Sequence, residues 1–151
     1  MYTEQLTQRL GICAPVNNQT INSSATASAT AGPVDMQKFH RALFLVDVGT
    51  VVSGGAVTLQ LIESASSSLS SPQNCPGSNT ALTGLNTSNK QYTFEIRADQ
   101  IDAGYRYVGL QATETAGHNV AITVVGFGDE AGHKPGNLNN DSSVVTQQVV
   151  S

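Results

Sequence analysis

The side chains able to do acid–base chemistry in this sequence are few, and their spacing assembles no active site. Glu63, Glu95, Asp99 and Asp102 are the candidates for a carboxylate pair. Glycoside hydrolysis needs two carboxyl groups facing each other across a cleft, and nothing in the pattern sets any two of these four that way. Glu95 and Arg97 fall on one face of a predicted strand, where they would form an exposed ion pair worth little. Asp99-x-x-Asp102 would hold a calcium ion only with help from loop carbonyls, because calcium takes six or more oxygens. His40, His118 and His133 are scattered among polar and turn residues, without the HxH or HExxH spacing of a zinc site. Serine is abundant, but no GxSxG nucleophile elbow is present. Gly126-Phe127-Gly128 runs into Asp129-Glu130 rather than a third glycine opening a helix, so it is not a dinucleotide loop. Asn22-Ser23-Ser24 and Asn86-Thr87-Ser88 match glycosylation sequons, which carry meaning only in a secreted chain. Cys13 and Cys75 belong to no CxxC pair. A bridge between them would close a loop of about 60 residues; two unbridged thiols are the favoured reading. No catalytic residue, metal site or cofactor is assigned.

Composition explains this scarcity. Charged residues are 12% of the 151, aromatics 5%, and Trp is missing. Seven Lys and Arg against eleven Asp and Glu leave a net charge of −4. So small a basic complement excludes a nucleic-acid binder that works through phosphate contacts. No apolar run approaches the roughly 20 residues of a membrane-spanning helix, so no membrane partner is expected. The alanine, glutamate, lysine and leucine richness of a coiled coil is missing too. Met1-Tyr2-Thr3-Glu4-Gln5 lacks the basic and apolar regions of a secretory signal, so synthesis in a cytoplasm is expected.

The elements read as β-strands. Ala42–Val46, inside Phe39–Val48, is a continuous apolar run ended by Gly49 and predicts a central strand buried on both sides. Ser53-Gly54-Gly55 predicts a hairpin-type turn. Residues 56–63 alternate, with Val57, Leu59 and Leu61 on one face. Residues 64–90 form a long polar excursion, a length usually functional or partly disordered in a compact domain. Tyr92, Phe94 and Ile96 point inward on a strand over 91–97. Val108, Leu110 and Ala112 do so over 105–114, with Tyr105, Tyr107 and Gln111 on the other face. Val120, Ile122 and Val124 do so over 120–127, where Gly126 and Gly128 allow a bend. Weaker strands are predicted at 19–30 and 144–150. Asp35–Lys38 is a turn or a single helical turn, and a loop carboxylate near Asp99–Asp102 is expected to pair with Arg106. Residues 2–10 would form one or two helical turns, too short to stand alone. The fold class is all-β: an antiparallel β-sandwich, jelly-roll-like, with extended N- and C-terminal arms. The domain plan is an N-terminal arm over 1–16, a sandwich over 17–128 and a C-terminal arm over 129–151. The last stretch, Val144–Val150, suits strand addition to a neighbour's sheet edge or a frayed tail that docks on its own domain.

Some of these residues carry a resemblance. Val34-Asp35-Met36-Gln37-Lys38-Phe39-His40-Arg41 leads into a strand ending at Asp47-Val48-Gly49, and a Val-Thr-Leu-Gln strand follows. Then come Glu95-Ile96-Arg97-Ala98-Asp99-Gln100-Ile101-Asp102, Gly104-Tyr105-Arg106-Tyr107-Val108 and a last strand ending in Gly126-Phe127-Gly128. Over about residues 8–130 this order resembles small structural proteins encoded among the head genes of tailed bacteriophages. The stretch from Glu95 to Val108 is its most specific part, and the residues beyond 130 run longer than the pattern. The resemblance implies a virion protein of the capsid decoration (cement) type. Such a protein binds the outer surface of the capsid, has the major capsid protein as partner and is often a trimer; it works without an active site. Low charge and abundant Thr, Ser and Asn suit broad, wet contact surfaces. The expected contact residues are Tyr2, Leu6 and Leu10 in the first arm, Tyr105 and Tyr107, and Val145 and Val149 in the last. The 64–90 loop is a further expected contact region. A tail- or fibre-associated carbohydrate- or receptor-binding module is the alternative.

Overall fold

The computed structural model describes residues 9–21, 28–77, 80–114 and 117–131. Nine strands lie among them: β1 (Gly11–Ile21), β2 (Ser28–Asp35), β3 (Phe39–Val51), β4 (Val57–Ser64), β5 (Gln73–Asn74), β6 (Ala81–Leu85), β7 (Lys90–Arg97), β8 (Tyr107–Glu114) and β9 (Val120–Ala131). One 3-10 turn, Ala98–Gln100, follows β7. No helix among the described residues is long and apolar enough to cross a membrane.

The chain is an all-β antiparallel sandwich. One sheet has the order β1-β9-β3-β7, and the other β2-β8-β4-β5, with β6 also on β4. Strand pairing runs β1 with β9, β2 with β8, β3 with β7, and β4 with β5 and β6. The chain is therefore a long two-stranded ribbon folded on itself. The β3–β9 and β4–β8 pairings close the wrap. That is the winding of a jelly roll, in which ribbon strands alternate between the two sheets. The core between the sheets holds Phe39, Phe44, Val46 and Val48 of β3, Leu59 and Leu61 of β4, Leu110 of β8, and Ile122 and Val124 of β9.

Several local expectations change. β3 is not buried on both sides: Phe44, Val46 and Val48 are buried while Leu45 is 42% exposed. A strand in a two-layer sandwich has one face on the core and one in water, so the continuous apolar run of β3 places Leu43 and Leu45 outward. Ser53-Gly54-Gly55 does not close a hairpin. It carries the chain from β3 in one sheet to β4 in the other, with Gly54 at φ +87. The weak strand expected at 19–30 is divided between β1 and β2, which lie in different sheets. The polar excursion holds β5 and β6, which together satisfy one edge of β4. The sandwich also takes in part of each assigned arm. Gly11–Cys13 pair with Gly126–Gly128, and β9 continues to Ala131, opposite Phe39. Backbone donors and acceptors beside a sheet edge are satisfied best by joining it.

Gly126 and Gly128 make room for the rings of β3. A Cβ at Gly128 would overlap the Phe39 ring, and one at Gly126 would lie 3.0 Å from Phe44 Cε1. The Phe39 ring thus occupies the place a side chain at Gly128 would take, and the Phe44 ring packs closely against Gly126.

Candidate functional site

Polar side chains gather at one end of the sandwich, where β2, β4, β5 and the segment leading into β8 meet. Glu63 continues the inward stripe of Val57, Leu59 and Leu61 on β4, and is fully buried. A carboxylate there must be hydrogen-bonded, and it is. Gln73 Nε2 donates to Glu63 Oε1 at 2.7 Å, and the Asp102 backbone amide donates to Glu63 Oε2 at 3.1 Å. The same Gln73 amide donates to Asp102 Oδ2 at 2.9 Å, while Tyr105 Oη donates to Gln73 Oε1 at 2.8 Å. One glutamine therefore ties together two carboxylates and a tyrosine from two other chain segments, β4 and the turn at Asp102–Tyr105. The buried Cys75 lies beside this group. Burial, then the charges of Glu63 and Asp102, push its thiol up to about 12.

Next to this network Arg106 forms a two-pronged ion pair with Asp35: Nε to Oδ1 at 2.7 Å and Nη2 to Oδ2 at 2.6 Å. The backbone repeats the join, with Met36 N donating to Arg106 O at 3.0 Å and Arg106 N to Ser64 O at 3.2 Å. Burial alone would raise the Asp35 carboxyl. The Arg106 hydrogen bonds, the Gln37 amide and the Arg106 and Lys38 charges outweigh it and hold it below its usual range. The partner of Arg106 is therefore not a loop carboxylate near Asp99. It is Asp35, seventy-one residues away in sequence, because pairing of Asp35 with Tyr107 puts the neighbouring Arg106 at the end of β2. Asp99 is engaged by Arg97 instead, at 2.9 and 3.0 Å, and that hydrogen bonding holds its carboxyl low. Glu95 lies 3.7 Å from Arg41 on β3, so the contacts of Glu95 and Arg97 go first to a cross-strand partner and a local one, while Arg97 still feels the charge of Glu95.

Two further titratable side chains bury polar atoms in different ways. Glu114 ends the inward stripe of Val108, Leu110 and Ala112 on β8, is buried, and accepts from Gly117 N at 2.9 Å. The His118 ring covers Gly54 and Gly55, and its Nδ1 is buried without a hydrogen-bond partner. Among the described residues no three His, Cys, Asp or Glu side chains converge as metal ligands. No disulfide joins Cys13 to Cys75; the first lies on β1 and the second just after β5, in opposite sheets.

The outer face of the first sheet offers a different surface. A groove of about 220 Å³ runs between β3, β7 and β9, lined by Leu45, Asp47, Gln91, Thr93, Thr123 and Val125 among others.

The expected contact residues are spread over the chain. Leu10 is half-buried just ahead of β1. Tyr105 is tied into the Gln73 network, and Tyr107 is half-buried at the start of β8, with the Arg106 guanidinium carbon 5.0 Å from its ring centroid. Tyr2, Leu6, Val145, Val149 and His133 lie outside the described residues. Gln73 was missed in the sequence, where it is one polar residue in a polar stretch. The burial of Glu63 and Glu114 did have a signal, since each prolongs an inward apolar stripe by two residues.

No family model matches the sequence, and no curated protein does. Among solved structures the chain is similar to one described as "Bacillus endospore appendages form a novel family of disulfide-linked pili". The two share 11% identity at a TM-score of 0.46, over 87% of this chain and 98% of that one. A likeness of that degree carries no inference about function.

Proposed function

We propose that this chain is a structural virion protein of the capsid decoration type. In this reading it binds the outer surface of a tailed-phage capsid, partners the major capsid protein and works as a homo-oligomer, a trimer by resemblance, without catalysis. The observation that supports it is the use made of the polar residues in the phage-like pattern. Asp35, Asp102, Tyr105 and Arg106 are spent on joining strands at the end of the sandwich, and Glu63 and Gln73 complete the join. With charged residues at 12% of the sequence, the faces that remain are weakly charged. Contacts of that kind are individually weak and gain by repetition over a shell. Jelly rolls serve in capsids and also in lectins, so the fold does not choose between them.

Cryo-electron microscopy of virions carrying this chain tests the reading. Regular copies over the outer capsid surface are expected. Density confined to the portal, tail or fibres would overturn it, and would favour the carbohydrate- or receptor-binding module.

A further inference from the structure

The open edges of the two sheets are not equivalent. β1 carries two register shifts against β9, and β2 carries one at Gly32-Pro33 against β8. β5 has two residues, and β6 is interrupted by a shift and by Gly84 at φ +68. Such irregularities are the usual means of spoiling an edge as a template for another strand. β7 has none. Its eight residues pair with β3 without a break, from Arg41 opposite Arg97 to Val48 opposite Lys90, and no described strand lies beyond it. The donation from Asn89 N to Gly49 O sets the phase of this pairing. By the alternation of an antiparallel ladder, Gln91, Thr93 and Glu95 then turn their backbone groups to β3. Lys90, Tyr92, Phe94 and Ile96 turn theirs to the open side.

The same chain carries a segment suited to fill that side. Val144-Val145-Thr146-Gln147-Gln148-Val149-Val150 is β-prone, uncharged, and without glycine or proline. β9 ends at Ala131, at the end of the sheet where Arg41 pairs with both Asp129 and Arg97. From there, a strand outside β7 is three strand spacings away, about 14 Å. The twelve residues 132–143 span up to about 40 Å when extended. A chain returning from that end runs antiparallel to β7.

We propose that residues 144–150 add to the open edge of β7 as a fifth strand of the first sheet, donated by the same chain. The added strand pairs with the backbone of Tyr92, Phe94 and Ile96 and lies beside the groove at Leu45 and Gln91. Tethering makes the addition intramolecular, so a weak strand pairing needs no high concentration. The inference does not rest on the virion reading.

Hydrogen exchange on the full chain, alone and dilute, tests this. The Tyr92, Phe94 and Ile96 amides are compared between the native sequence and the double variant Val145→Pro, Gln148→Pro, whose positions face opposite sides of a strand, so that one of them loses a donor to β7 in either register. Proline removes a donor that a strand needs, and both changes lie outside the nine described strands, so a retained cooperative melt reports that the sandwich itself still folds. The proposal expects these three amides to exchange at least roughly tenfold faster in the variant, independently of protein concentration. Equal exchange in the two proteins would overturn it. Protection that appears only as the protein dimerises would also overturn it, and would assign the edge to a second copy.

Discussion

Single residues at the polar end of the sandwich act as fasteners, and their chemistry makes them testable. Glu63→Leu keeps the bulk and removes the acceptor, leaving the Gln73 amide and the Asp102 backbone N–H short of a partner. A cost of about 1–3 kcal/mol is expected by chemical denaturation. Asp35 has its carboxyl held low in the folded chain. Its contribution is therefore fully present above its unfolded value of about 4 and is lost as the pH falls through the lower folded value. Denaturation midpoints measured from pH 6 to pH 2 should show that loss, and Asp35→Asn should flatten it. The Cys75 thiol, buried and pushed up to about 12, holds almost no thiolate at neutral pH. Its labelling by a thiol reagent should keep pace with unfolding in native buffer and become fast only in denaturant.

At the scale of elements, the question is which face of a strand meets the core. β3 carries the most apolar sequence in the chain, yet Leu45 is 42% exposed while Phe44 beside it is fully buried. Leu45→Asp should change stability by no more than about 0.5 kcal/mol, whereas Phe44→Ala should cost about 3–5 kcal/mol. Similar losses from both would contradict the alternation. The fit between β3 and β9 is equally specific. Gly128→Ala drives a methyl into the Phe39 ring, and overpacking of this kind costs about 1–3 kcal/mol. Thermal melting of the variant measures it.

At the scale of the whole molecule, the ribbon winding joins distant parts of the chain. β1 pairs with β9, so the sandwich closes only when residues near 11 meet residues near 128. Such a topology pays its loop-closure entropy before the pairing rewards it. Refolding in about milliseconds to seconds is expected, in the slow range for its size. Stopped-flow mixing from denaturant checks this.

Much of this was legible in the sequence. Period-two alternation marked β4, β7, β8 and β9 and the residues they bury, because a strand in a sandwich must sort its side chains by face. The scarcity of charge and aromatics, and the want of any catalytic spacing, were also properties of the sequence alone. Partners were not legible. Arg106 met Asp35 rather than a neighbour in its own loop, and Gln73 came to bridge Glu63 and Asp102. The continuous apolar run of β3 looked the same whether one face or two were covered. Alternation is a local consequence of backbone geometry and can be read along the chain. Pairing, sheet assignment and the covering of a face depend on which distant strands come together, and only the tertiary structure decides that.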